Sequence, residues 1–302
     1  MTDRRAHLDS RAVVLLLACC LLWGLQQIVA KATLPSMPPM AQAAVRSLVA
    51  AAAVSAWSAW RGIPLFQRDG TGAAGLLAGL LFAGEFLCIY VGLGYTTASR
   101  LVVLLYLSPF VVAAGMPFIS RAERLAPLQV GGLVLGFGAV VVAFSEGWGV
   151  AGQGQRWVGD LLAVLAAVLW GATTLAIRAT RLASASAEKT LFYQLAVSAI
   201  ALGVASPLAG EAWPARWGAA LWGSLFFQSI VVAFASYLVW FWLVRHYPAT
   251  RLASFTFLTP LFGLLFGWLL LGETVTPRLV AALAGVATGI WLVNRRTVPR
   301  RD

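Results

Sequence analysis

Long uninterrupted apolar runs, not alternating positions, dominate the chain. Read in windows of about 19 residues, they fall at 12–32, 39–60, 72–94, 98–119, 127–145, 158–179, 188–208, 217–243, 250–271 and 277–294. At a rise of about 1.5 Å per residue, each is long enough as a helix to cross a hydrocarbon layer about 30 Å thick. The pattern therefore predicts ten transmembrane spans, numbered here in chain order. A membrane β-barrel would show short alternating segments, and a spanning backbone that is not a barrel has to be helical. Composition agrees. The chain is 60% hydrophobic and 11% charged, with a mean hydropathy of +0.83, more apolar surface than a water-soluble fold of this size covers.

The net charge of +11 changes the picture only through its placement. Sixteen of the twenty-two Lys and Arg fall in segments on the side of the termini, five (Lys31, Arg100, Arg156, Arg216 and Arg278) on the other, and Arg46 inside span 2. This asymmetry predicts cytoplasmic N- and C-termini. It reads the basic excess as a topology code with an attraction to a lipid bilayer, and no nucleic-acid partner is expected. Cys19, Cys20 and Cys88 lie inside apolar spans as small packing residues, with no sign of a disulfide framework. Arg4, Arg5 and Arg11 before span 1 imitate a signal peptide, and Leu16-Leu17-Ala18-Cys19 imitates a lipoprotein box. Neither is expected, because no polar region follows and the apolar run continues through Trp23.

Three anchors recur in order. Leu22-Trp23-Gly24 with Lys31-Ala32 returns as Leu169-Trp170-Gly171 with Arg178-Ala179, and Arg100-Leu101 with Leu107-Ser108-Pro109 returns as Arg251-Leu252 with Leu258-Thr259-Pro260. Glu123 and Pro127 return as Glu273 and Pro277. The offsets, 147 to 151 residues, predict a duplication into residues 1–150 and 151–302. Each half holds five spans, an odd number, so the second half enters the membrane upside down relative to the first. On these motifs the chain resembles the drug/metabolite transporter superfamily in its ten-helix EamA-type form. Within it, the chain is most similar to bacterial aromatic amino acid exporters. The resemblance implies an all-α bundle in which spans 1, 3, 4, 6, 8 and 9 line a central cavity and spans 5 and 10 buttress it.

Glu85 is the acid deepest in a span, where a charge costs about 2.5–3.5 kcal/mol on insertion scales. It reads as a substrate or proton site, or as a hydrogen-bonded structural carboxyl. It lies fifteen residues before Arg100, as Ser236 lies before Arg251, so the two are repeat mates. Ser236 belongs to a predicted stripe on span 8, Trp222, Phe226, Ser229, Ala233, Ser236 and Trp240, read as cavity lining or as a packing seam. Arg46 is placed to snorkel or to pair with Glu85. Pro109 and Pro260 sit mid-span, each removing a backbone donor, which either exposes backbone to substrate or only bends the helix.

Around these prolines Tyr106 matches Phe257, Ser99 matches Thr250 and Val103 matches Ser254, a polar and aromatic face on each helix. Trp23 and Trp170 fall at mid-span and need a partner for the indole N–H, with Gln26 and Gln27 matched by Thr173 and Thr174 one turn on. The expected substrate-binding set is Trp23, Gln27, Glu85, Tyr106, Pro109, Trp170, Thr174, Ser229, Ser236, Ser254 and Phe257. Gly132-x3-Gly136 in span 5 and Gly285-x3-Gly289 in span 10 are close-packing motifs, used within the monomer or in a homodimer.

An intramembrane enzyme is excluded by the lack of paired acids or a nucleophile–base pair in the spans, and His7 and His246 lie near the surface. No metal or other cofactor is expected, and no phosphate-binding G-x4-G-K-[ST] loop is present. Inverted repeats with broken helices favour a secondary transporter, with a channel as the competing class. A lining of Trp, Tyr, Phe, Ser, Thr and Gln with one carboxyl suits export of small amphipathic metabolites, neutral or aromatic amino acids first. Hydrophobic cations, as in multidrug efflux, are the alternative. The expected location is a bacterial inner membrane.

Overall fold

The computed structural model describes residues 9–119, 126–145, 155–247, 252, 255–256 and 258–294. Among the described residues seven helices are long and apolar enough to cross a membrane, and three shorter apolar helices complete ten spans in two inverted sets of five. The predicted boundary between residues 150 and 151 lies outside the described residues.

Local chemistry sets the ends. Span 1 is a helix over Ser10–Thr33, opened by Asp9, whose Oδ1 accepts from the Ala12 N–H at 2.8 Å. Span 2 (Pro39–Trp60) begins on a proline at the position where a missing N–H costs nothing. Its next two amides, on Met40 and Ala41, donate to the two carboxylate oxygens of Glu211 at 2.9 Å each. Span 4 starts at Ala98 behind the cap residue Thr97, stops at Leu105 and resumes over Ser108–Ile119. The break at Tyr106-Leu107 stands just before Pro109, where tightened i→i−3 bonds (Tyr106 N–H to Val103 O, Leu107 N–H to Leu104 O) replace the α ladder. At the opposite turn, Gly272 takes φ +62°, a left-handed conformation that favours glycine. Glu273, next in the chain, accepts from the Ala98 and Ser99 amides at 2.7 and 2.9 Å, capping span 4 from the other repeat.

Packing follows the duplication. Span 2 lies on span 7 (Ala187–Leu208), span 3 (Gly72–Gly92) on spans 6 (Arg156–Ala179) and 7, span 1 on span 9, and the second half of span 4 on span 6. A Cβ added to Gly24 would stand 2.8 Å from Phe262 Cβ and 3.0 Å from Thr259 O, and one on Gly171 would stand 2.6 Å from Val111 Cβ. The glycine of each Leu-Trp-Gly motif thus seats against the Ser/Thr-Pro segment of the other repeat. Ser47 and Ser198, 151 residues apart, face each other at 3.2 Å, as mates on a two-fold axis must. The same 151 residues separate Asp9 from Asp160 and Thr96 from Tyr247. Thr96 donates to Asp160 at 2.8 Å and Tyr247 to Asp9 at 3.0 Å, the same contact made at both ends.

Spans 5 (Pro127–Phe144) and 10 (Pro277–Asn294) meet through their glycines: a Cβ on Gly132 would lie 2.7 Å from Gly289 O, and one on Gly289 would lie 2.8 Å from Gly132 O. The predicted close-packing faces therefore meet within the chain. Leu270, Val134, Phe137 and Phe118 point outward from the bundle while Gln42, Ser47 and Gln228 are fully buried, the inverse of a water-soluble core.

Candidate functional site

Span 8 departs from the predicted regular helix. It runs as an α-helix over Ala219–Phe226, a π-helix over Phe227–Ser236 and an α-helix over Tyr237–His246. The wider π turns shift the register, and the predicted stripe does not stay on one face. Trp222 and Phe226 are 57% and 60% exposed on the outside, whereas Ser229, Ala233 and Ser236 are buried. The same shift turns Gln228 inward at 0% exposure.

Gln228 is the hub of a polar layer drawn from four spans. Its Oε1 accepts from Tyr90 Oη of span 3 at 2.5 Å and from Gln26 Nε2 of span 1 at 3.5 Å. Its Nε2 donates to Gln42 Oε1 of span 2 at 2.9 Å and to Ser224 Oγ at 2.8 Å. Ser224 in turn meets Thr33 Oγ1 at 2.5 Å. In a bilayer each of these groups would cost several kcal/mol if left alone, so the layer joins spans 1, 2, 3 and 8.

Beside it, Trp23 donates its indole N–H to Ser236 Oγ at 2.9 Å, and Ser236 donates to Val232 O at 2.7 Å. The rings of Tyr237 and Trp240 stand edge-on to Trp23 at 6.4 and 5.4 Å between centroids. Glu85 is 6% exposed, and its Oε2 makes no hydrogen bond among the described residues. Arg46, fully buried, lies with its guanidinium carbon 4.1 Å from the Phe86 ring centroid and donates from Nη2 to Tyr237 Oη at 3.3 Å. Arg46 acts on Glu85 electrostatically, but the expected contact pair is not among the ion pairs of the described residues. Further unpartnered atoms here are Arg46 Nε and Nη1, Gln42 Nε2, Gln26 Oε1, Gln27 Oε1 and Ser229 Oγ.

Of the expected set, the structure brings Trp23 and Ser236 into direct contact, buries Glu85, Gln27 and Ser229, and sets Tyr106 edge-on to Trp170 at 6.3 Å. Trp170 is 37% exposed, and Thr174 turns back to donate to the Trp170 carbonyl at 3.2 Å. Pro109 is half-buried just past the break in span 4. Ser254 and Phe257 lie outside the described residues. Gln42, Tyr90 and Gln228 did not emerge from the sequence. Their signal was a lone polar group in an apolar span, which in lipid has to find a partner.

Ion pairs hold the ends, Lys31 with Glu273 at 3.7 Å among them. Arg100, counted above as a loop charge, is 1% exposed. Its Nε donates to Asp160 Oδ1 at 3.1 Å and its Nη2 to Asp160 Oδ2 and, at 2.6 Å, to Ala143 O, tying spans 4, 5 and 6. At the other end Lys189 donates to Asp69 Oδ2 and Gln67 O at 2.7 and 2.8 Å. The hydrogen bond from Lys189, with those from Thr71, holds the Asp69 carboxyl well below the usual carboxylate range. Among the described residues no group of His, Cys, Asp and Glu is arranged to hold a metal ion.

Comparison with known proteins agrees with this architecture. The chain is 28% identical to the uncharacterized transporter YvbV of Bacillus subtilis (strain 168), covering 95% of this chain and 93% of that protein. It is 30% identical to the S-adenosylmethionine/S-adenosylhomocysteine transporter of Chlamydia muridarum (strain MoPn / Nigg) over 68% of this chain and 66% of that one. One solved crystal structure superposes with a TM-score of 0.64 at 21% identity, covering 94% of this chain and 96% of its own, a likeness of fold. The EamA-like transporter family matches residues 10–145 and 157–295, nearly all of the described spans, and the chain belongs to that family.

Proposed function

We propose that this transporter is a secondary exporter of small amphipathic metabolites bearing an amine, foremost neutral or aromatic amino acids. It works by alternating access in a bacterial inner membrane, with both termini cytoplasmic. The observation that carries the reading is Glu85, a carboxyl group inside span 3 with an unpartnered oxygen beside a layer of amides and aromatic rings. An amine entering a low-dielectric bundle needs an anionic partner. The S-adenosylmethionine transporter supports the amine, since S-adenosylmethionine carries an α-amino acid group. Efflux of hydrophobic cations is a second reading, favoured by the aromatic rings of Trp23, Tyr237 and Trp240. Purified protein in liposomes tests the choice, with labelled phenylalanine and a labelled hydrophobic cation each offered at equal pH and under an imposed pH gradient. Saturable phenylalanine flux is expected. Flux of the cation without phenylalanine would replace the first reading with the second.

A further inference from the structure

The unpartnered polar atoms of the central layer are sorted by sign. On one face of span 2, Gln42 and Arg46 are one helical turn apart and both fully buried. Between them they leave three donor atoms without acceptors: Gln42 Nε2, Arg46 Nε and Arg46 Nη1. In this arrangement Gln228 accepts from Tyr90 through its oxygen and presents its nitrogen to Gln42 Oε1, which leaves the Gln42 nitrogen without an acceptor. On spans 1 and 3 the free atoms are acceptors, Gln26 Oε1, Gln27 Oε1 and Glu85 Oε2. The two sets adjoin. Gln26 and Gln42 bond the same Gln228 side chain, and Arg46 lies over the ring of Phe86, the residue after Glu85.

A guanidinium stays protonated and carries five N–H donors, and a fork of that shape matches a carboxylate. Its cation–π contact with Phe86 and its single bond to Tyr237 leave most of that fork unused. Resting on the reading of Glu85 as the amine partner, we propose that Arg46, assisted by Gln42, is the carboxylate subsite of the same binding site. Its substrate is then a zwitterion with an ammonium group at Glu85 and a carboxylate group at Arg46. A simple hydrophobic cation has no group for the Arg46 fork, and the guanidinium repels its charge. The site discriminates by leaving a buried charge unmatched for any substrate that lacks one of the two groups.

Three probes with one ring, phenylalanine, 2-phenylethylamine and 3-phenylpropionate, separate the subsites in competition against labelled phenylalanine in proteoliposomes. The wild type is expected to bind phenylalanine at least tenfold more tightly than either single-charge probe. Arg46→Met is expected to weaken phenylalanine at least tenfold while leaving 2-phenylethylamine equal or tighter. Arg46→Lys, which keeps the charge without the fork, is expected to fall between. Should Arg46→Met fail to yield folded protein, the wild-type ranking decides. Equal competition by 2-phenylethylamine and phenylalanine, or an Arg46→Met variant with unchanged phenylalanine affinity, overturns the carboxylate subsite and leaves the amine reading intact. Absence of phenylalanine transport by the wild type is the separate failure of the exporter reading.

Discussion

At Glu85, charge and shape separate cleanly. Glu85→Gln keeps the volume and removes the anion, so a role in binding an amine predicts at least a tenfold loss in phenylalanine transport with normal insertion and folding. A proton-coupling role predicts instead that exchange at equal pH survives and the response to a pH gradient disappears. Trp23 makes a complementary case. Its indole N–H is satisfied by Ser236, so Ser236→Ala strands a part-buried donor, at about 1 kcal/mol. Thermal unfolding in detergent should show that loss, and Trp23→Phe combined with Ser236→Ala should recover part of it. Trp23 and Glu85 were legible in the sequence because each is an odd residue in an apolar run. The pairing of Arg100 with Asp160 was not: each sits at the end of a span and reads as an interfacial charge until the fold closes it off from solvent.

The spans, the broken helix before Pro109 and the Gly faces followed from runs, prolines and spacing, since these are local properties of the backbone. The π segment of span 8 did not. It depends on which side chains must turn inward together, and it decides that Gln228 joins the polar layer while Phe226 faces out. Packing predicts that Gly289→Val cannot be absorbed, because the approaching group is the Gly132 carbonyl and not a flexible side chain. Overpacking of this kind costs about 1–3 kcal/mol, and the melting temperature of the purified protein should fall accordingly. The tie from span 7 to the loop before span 3 has its own pH signature. The folded Asp69 carboxyl titrates below its free value, so its stabilising effect is complete above about pH 3.9 and fades as the pH drops further. Asp69→Asn should lower the melting temperature at pH 7, and the gap from wild type should close in acid. A gap that widened in acid would contradict the assignment.

For the whole molecule, the repeat places the same contact at both ends, Thr96 with Asp160 and Tyr247 with Asp9, so one scaffold offers two related closures. The duplication was read from three anchors, Leu-Trp-Gly, Ser/Thr-Pro and the Glu–Pro pair before spans 5 and 10, and the structure adds that the first two clasp one another across the repeats. The charge asymmetry of the loops predicts that a cysteine at Gln153 is labelled from outside intact cells and one at Ser184 is protected; the reverse pattern would overturn the proposed orientation. A carrier, as proposed here, exposes its polar layer to one side at a time, whereas a channel exposes both at once. Counterflow in proteoliposomes discriminates between them. Vesicles loaded with unlabelled phenylalanine and diluted into a trace of labelled phenylalanine are predicted to accumulate label transiently above its equilibrium level. Label that rises only to equilibrium, with no overshoot, while single-channel conductance is recorded from the same preparation, would contradict the account.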